Sequence, residues 1–352
     1  MNRTRSLGIA WLVACAGCIG ADTQPPFEEV YDIIRTNLAG YQMPEPATRS
    51  VEDLLKVLGT RFELVPMRAG VEAPAPTTAV VKTNLFDGAI AYFRLTTVKS
   101  GLASELVAAL EAVQGTNKLS GIVLDLRFTR GSDYAAAAAV ADLFATGEDV
   151  LLDWGSGAAR ATRKTNAISL PVVALVNRDT AGAAEALAAL IRHIGAGLII
   201  GTNTAGRAFT FDEFELSSGH RLRISKSYVR LGTGEPLPEA GLEPDILVSV
   251  QPNEEREFLA DPYRPVPAAN TDADKNGLSS RNGGTNQATR VPRRRINEAE
   301  LLREHREGSR LGPQRAAPAA EEPGPRVVTD PALARALDLI KGLAVLKMAG
   351  QE

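Results

Sequence analysis

The sequence carries only two cysteines in 352 residues, Cys15 and Cys18, and both fall at its very beginning. The body of the chain therefore contains no internal disulfide. Histidine is almost as scarce: His193, His220 and His305 are the only three, and none stands at metal-ligand spacing to another. No metal site and no cofactor are expected from such a set. An excess of charge of one sign is also missing, since 39 Lys and Arg face 42 Asp and Glu for a net charge of −3, which gives no reason to expect a nucleic-acid partner. Long apolar runs are lacking too. The stretch Leu7 to Ala14 is too short to cross a bilayer as a helix.

What is present at the start is an export pattern. Arg3 and Arg5 form a basic end, Leu7 to Ala14 a short apolar region, and Leu12-Val13-Ala14-Cys15 has the form of a lipobox. Residues 1–18 are thus expected to be a lipoprotein-type signal peptide with lipidation at Cys15. Cys18 is the alternative lipidated residue, and ordinary secretory cleavage nearby is the simpler alternative. Each version places the protein outside the cytoplasm, in a bacterial cell envelope or periplasm, and the preferred one gives it a membrane contact through the lipid.

Further along, apolar residues recur at helical spacing from Phe27 to Ala39 and from Ser50 to Leu58, with Ser50 and Asp53 set as an N-cap. Residues 27–68 read as a helical lead-in. The Pro-containing run Ala69 to Thr83 makes residues 69–87 a linker. Residues 88–250 read as the core: a strand at Gly88–Leu95, a helix from Gly101 to Val113, a buried strand within Leu119–Leu126, an Ala-rich helix from Ala135 to Phe144, and a strand at Val150–Trp154. An apolar run from Pro171 to Val176 then enters a turn of small residues that opens an Ala/Leu helix, and Gly197 to Ile200 leads into a polar loop. Thr210–Leu216 and Arg221–Val229 alternate as a hairpin. The alternation of strands and helices predicts an α/β layered domain. After Pro252 the composition shifts to Pro, Gly, Asn, Arg and Glu, so 252–325 is expected to be largely disordered apart from a short helix at Ile296–Arg306. Residues 330–348 read as a terminal helix with Asp330 at the N-cap, Pro331 at N1 and Leu333, Leu337, Ile340 and Leu343 on one face.

The turn Thr180-Ala181-Gly182-Ala183-Ala184-Glu185, the loop Thr204-Ala205-Gly206-Arg207-Ala208, the segment Asp125-Leu126-Arg127 followed by Gly131, and Gly241-Leu242-Glu243-Pro244-Asp245 together resemble the carboxyl-terminal processing, or tail-specific, serine proteases. The resemblance covers about Gly88 to Val250. It implies a ClpP/crotonase-like core, proteolytic action on protein C-termini, and a serine nucleophile with a lysine base. Those two places hold Gly182 and Arg207. Two further places also depart from the family's residues: Phe211 replaces a glutamine, and Arg192-His193 replace Gln-Asp. Gly131 and the Ala183 N–H correspond to the oxyanion-hole region, with Ser132 in place of the family's second glycine, and Glu185 and Thr204 are retained. About 20 residues separate lead-in and core, too few for the peptide-binding PDZ domain that the family commonly inserts there.

Glycine has no side chain and arginine stays protonated, so neither chemical group of a Ser–Lys pair remains. Fixed donors at a helix start could still hold a carboxylate. Thr180 and Ser132 stand near the expected site as replacement nucleophiles, although local backbone hydrogen bonding is the ordinary role of such residues. Asp125 and Arg127 read as a structural ion pair more readily than as a site pair, and His193 as a partner of helix-end carbonyls. Three functions follow: a non-catalytic relative that binds protein tails or a partner protein, an active hydrolase with an unorthodox nucleophile, or a crotonase-like acyl-thioester enzyme. The first is the expectation, with no nucleic-acid partner.

Overall fold

The computed structural model describes residues 24–37, 50–66, 78–115, 117–264 and 327–349. Cys15, Cys18, His305, the Ile296–Arg306 helix and most of the 252–325 segment lie outside them. The chain divides into one unit of Met1–Gln251 with Pro331–Glu352, and a second of Pro252–Asp330.

In the first unit, α1 (Phe27–Asn37) and α2 (Val51–Leu58) precede a 3-10 turn at Gly59–Arg61 and strand β1 (Phe62–Val65). Strands β2 (Val80–Phe86), β3 (Ile90–Leu95) and β4 (Thr97–Val98) lead to α3 (Leu102–Gln114), and β5 (Gly121–Asp125) and β6 (Arg130–Gly131) lead to α4 (Tyr134–Asp142). Next come β7 (Val150–Asp153), β8 (Ala158–Arg160), β9 (Val172–Val176), α5 (Ala183–His193) and β10 (Gly197–Gly201). The long hairpin β11 (Phe209–Glu215) and β12 (Arg221–Tyr228) is followed by β13 (Arg230–Leu231) and β14 (Ile246–Leu247). The second unit contributes α6 (Pro252–Ala260), and α7 (Pro331–Ala349) returns to the first.

The central sheet has the order β14-β10-β9-β5-β3-β2, parallel except for the edge strand β2. Its inner strands are buried on both faces, which explains their continuous apolar sequence. Side chains alternate between the two faces. Ile122, Leu124, Val172, Ala174 and Val176 join one core with α3, α4 and α5. Val123, Val173 and Leu175 point to the opposite face, and α7 packs on β5, β9 and β10 through buried Leu333, Leu337 and Ile340. The result is a layered α/β core.

Three boundaries differ from those expected. Val80–Phe86 is not linker but the sheet's edge strand, paired antiparallel to β3. Its Lys82, Thr83 and Asn84, polar residues that an edge strand tolerates, hid it behind the preceding prolines. The lead-in is not wholly helical either: Phe62–Val65 pairs with β12 in a sheet of order β1-β12-β11. The composition shift at Pro252 does not begin disorder at once, because Pro252–Ala260 is a helix with buried Phe258 and Leu259.

The small sheet has its own apolar cluster. Val30, Ile34, Leu54 and Leu58 of α1 and α2 meet Phe62, Leu216, Leu222 and Ile224. Helices this short are marginal alone, so burial of this stripe holds them. Ser50 caps α2 through the Asp53 N–H at 3.4 Å. The opposite face of the same sheet is charged: Glu63 stands across from Arg223, and Arg223 across from Glu213.

Candidate active site and its degenerate elbow

β9 ends at Val176, and the chain turns through Asn177–Ala181 to Gly182, the N-cap of α5. Gly182 has φ +65° and ψ −121°, a conformation that side chains resist. This is the geometry of a nucleophile elbow, a strained strand-to-helix turn that exposes one residue. The turn is fixed from behind. Thr180 donates its hydroxyl to the Leu126 carbonyl at 2.9 Å and accepts from the Asn177 N–H at 3.0 Å, and the Ala181 N–H donates to the Thr129 carbonyl at 3.0 Å. Thr180 is fully buried, so its hydroxyl is a structural group.

Glu185 ties the turn to the loop that carries Arg207. One carboxylate oxygen accepts from the Gly182 N–H at 2.9 Å and the Arg207 N–H at 2.8 Å. The other accepts from the Thr204 hydroxyl at 2.5 Å and the Gly206 N–H at 2.7 Å. Thr204 in turn accepts from the Leu242 N–H at 2.7 Å, which attaches the Gly241–Asp245 motif to the same hub. Four donors on a buried carboxylate make a rigid frame.

Within this frame, Gly131, Ser132, Gly182, Arg207 and Phe211 come together on a cleft of about 870 Å³. Ala183, Glu185 and Thr204 lie buried behind it. His193 does not belong to the site. It is exposed at the far end of α5, roughly 16 Å along the axis from Gly182 by helical rise. Its neighbour Arg192 donates to the Glu243 carbonyl at 2.9 Å and faces Asp245 at 3.4 Å, a contact that fastens the helix end to the closing motif. His220, buried in the hairpin turn, lies 3.0 Å from the Ser218 hydroxyl and does not line the cleft.

Gly182 brings no side chain to the elbow, and a neighbouring carbonyl takes up the space one would need. A Cβ built on Gly182 would overlap the Gly131 carbonyl oxygen far inside van der Waals contact, with the Arg207 carbonyl oxygen 3.8 Å away. Gly131 thus presents an acceptor toward the elbow, where the resemblance anticipates a donor for an anion. Gly131 is held there by the short parallel pairing of β6 with β4. The Arg207 guanidinium turns away to Glu63 at 3.6 Å, and Glu63 also meets Arg223 at 3.5 Å. Arg223 donates to Glu213 at 2.7 Å, and this hydrogen bond and its charge hold the Glu213 carboxyl below the usual carboxylate range. Among the described residues neither lysine nor histidine lines the cleft. Tyr134, on the cleft wall, donates to the Phe209 carbonyl at 2.7 Å, and burial followed by the charge of Glu185 pushes its hydroxyl pKa up. It is a poor proton donor at neutral pH.

Asp125 and Arg127 sit outside the cleft as a fully buried pair. The carboxylate accepts from Arg127 Nε at 2.9 Å and Nη2 at 2.7 Å, and from the Tyr92 hydroxyl at 2.8 Å. Sequence reasoning missed Glu63, Trp154, Tyr134, Glu213 and Arg223 as wall residues. For the hairpin residues a signal existed, since Glu213, Arg221 and Arg223 alternate along paired strands.

An elbow opening a helix beside a parallel sheet, with a buried acid bridging elbow and loop, is the backbone frame of a nucleophile-elbow site without its reactive side chains. Residues 89–248, most of the layered core, match the sequence model of Peptidase family S41. Over 214 residues it is 28% identical to the carboxy-terminal-processing protease of Bartonella bacilliformis, covering 56% of this chain and 49% of that one. Over 161 residues it is 30% identical to the chloroplastic carboxyl-terminal-processing peptidase 2 of Arabidopsis thaliana, covering 44% and 31%. The chain spans about half the length of these curated relatives or less. Among solved structures it is similar to a photosystem II D1 C-terminal processing protease, with 24% identity, 53% and 47% coverage and a TM-score of 0.38.

Proposed function

We propose that this protein is a non-catalytic member of Peptidase family S41 that binds protein C-terminal tails or a partner protein in the Gly182 cleft, outside the cytoplasm and anchored through lipidated Cys15. The observation that carries the loss of catalysis is the elbow: Gly182 offers no nucleophile, and the Gly131 carbonyl occupies the space of its side chain. Arg207, paired with Glu63, cannot take a proton at accessible pH. Ser132 is exposed on the cleft with no lysine or histidine among the described lining residues to activate it. The retained Glu185 hub and the cleft volume, within the range of ligand sites, support a binding role.

The test is incubation of the full chain with an unstructured protein ending in apolar residues, read by mass spectrometry. No cleavage is expected from wild type or from Gly182→Ser. Because the members of such a site act as a unit, Gly182→Ser with Arg207→Lys is the smallest conceivable restoration, and the Gly131 carbonyl opposes it. Wild-type cleavage that disappears in Arg207→Ala would overturn the non-catalytic reading. For the anchor, a Cys15→Ala/Cys18→Ala double variant should leave the detergent phase; identical partitioning with wild type would refute it.

A further inference from the structure

Among the described residues three guanidinium groups line the cleft, and two of them belong to one charge network with Glu63 and Glu213. Arg223 donates to Glu213 through both Nε and Nη2 at 2.7 Å and faces Glu63 at 3.5 Å. Arg207 faces Glu63 at 3.6 Å. Arg130 differs. It stands on β6 beside Gly131, its side chain is 64% exposed, and its contact among the described residues is a 3.4 Å approach to Asp179. A guanidinium carries five N–H donors in a fork that matches a carboxylate. Arg130 uses one of them, and that one at the long limit of hydrogen bonding.

A second feature of the same cleft suits an apolar side chain. Trp154 sits at the tip of the β7–β8 hairpin, where a Cβ at Gly157 would fall 2.7 Å from indole Cζ2 and 3.0 Å from Cε2. Glycine at 157 leaves room for the indole, which packs against the core under α3, α4 and α5 and stays partly exposed along the cleft. Phe211 adds a second partly exposed ring, set edge-on to Phe209 with centroids 6.3 Å apart. The elbow, meanwhile, is closed to an anion by the Gly131 carbonyl. Of the three cations that a ligand carboxylate meets in this cleft, Arg130 is the most exposed, at 64% against 42% for Arg207 and 35% for Arg223.

Resting on the reading of the cleft as a polypeptide-binding site, the geometry points to Arg130 as the anchor of a bound tail's terminal carboxylate, with the Trp154 ring taking the adjacent apolar side chain. Recognition of the chain end is thus placed inside the cleft itself. Asp179 acts against it, as a carboxylate that shares the same guanidinium. Its removal strengthens binding, whereas removal of Arg130 weakens it. A merely structural Arg130–Asp179 pair would make both substitutions act in the same direction.

The experiment uses the full chain and a fluorescein-labelled unstructured pentapeptide ending in leucine and alanine, as the free acid and as the C-terminal amide, read by anisotropy. Wild type is expected to prefer the free acid by about three- to tenfold, the range for a partly exposed charge-assisted contact. Arg130→Gln should abolish that preference, and Asp179→Asn should enlarge it. Acid and amide binding equally in all three proteins would overturn the assignment of Arg130 and leave the polypeptide-binding reading intact. Failure of both peptides to bind any of the three would overturn that reading, and this assignment with it.

Discussion

Replacing Gly182 by alanine tests the elbow most directly, because the structure sets two separate penalties there. The backbone at φ +65° and ψ −121° strains any residue with a Cβ, at a cost of roughly 1–3 kcal/mol. The methyl group would also overlap the Gly131 carbonyl oxygen, and that oxygen belongs to backbone held by the β4–β6 pairing, so it cannot simply rotate aside. Forcing an extra carbon into a packed site adds about 1–3 kcal/mol. Gly182→Ala is therefore expected to lose about 2–6 kcal/mol in urea unfolding followed by circular dichroism, with Ser132→Ala, exposed on the same cleft, within about 0.5 kcal/mol of wild type. A Gly182→Ala variant as stable as the Ser132→Ala control would refute the claim that the loop has closed over the elbow.

Two further outcomes follow from buried and half-buried charge. Asp125→Asn leaves the Arg127 guanidinium buried without its countercharge and should cost about 3–5 kcal/mol or prevent recovery of folded protein, measured by the same unfolding assay. Asp142 is pushed up by burial, but hydrogen bonds from Lys164 and Thr162 outweigh this and hold its carboxyl below the ordinary value. A depressed folded-state value means stability that is present above the unfolded pKa of about 3.9 and lost as pH falls through the folded one. The stability gap between wild type and Asp142→Asn should thus be open at pH 7 and close on acidification below about pH 4, and a gap independent of pH would contradict it.

Much of the core was legible in the sequence because its signals are local. The apolar runs of β5, β9 and β10 and the Ala/Leu repeat of α5 each declare themselves within a few residues. The elbow and its loop were legible through the spacing of Gly182, Glu185, Thr204 and Arg207, which the Glu185 carboxylate now explains as one hydrogen-bonded hub. What was not legible depends on partners far along the chain. Phe62–Val65 becomes a strand only by pairing with Arg221–Ile224, and Glu63 enters the cleft through that pairing alone. His193 stands at the end of α5, where the sequence placed it, and correspondence to a family position says nothing about which end of a helix faces the cleft. The turned Gly131 carbonyl is a matter of one peptide plane, and no residue pattern encodes it.

The apolar cluster under α3, α4 and α5 and the one under α1 and α2 share no residue. Between them the walls are polar, bridged by Arg207, Glu63 and Arg223. Cooperative units in proteins follow such divisions. Amide hydrogen exchange should accordingly fall into two tiers, with β1 and the β11–β12 hairpin opening at lower free energy than β5 and β9, so that the roof of the cleft breathes while its floor stays closed.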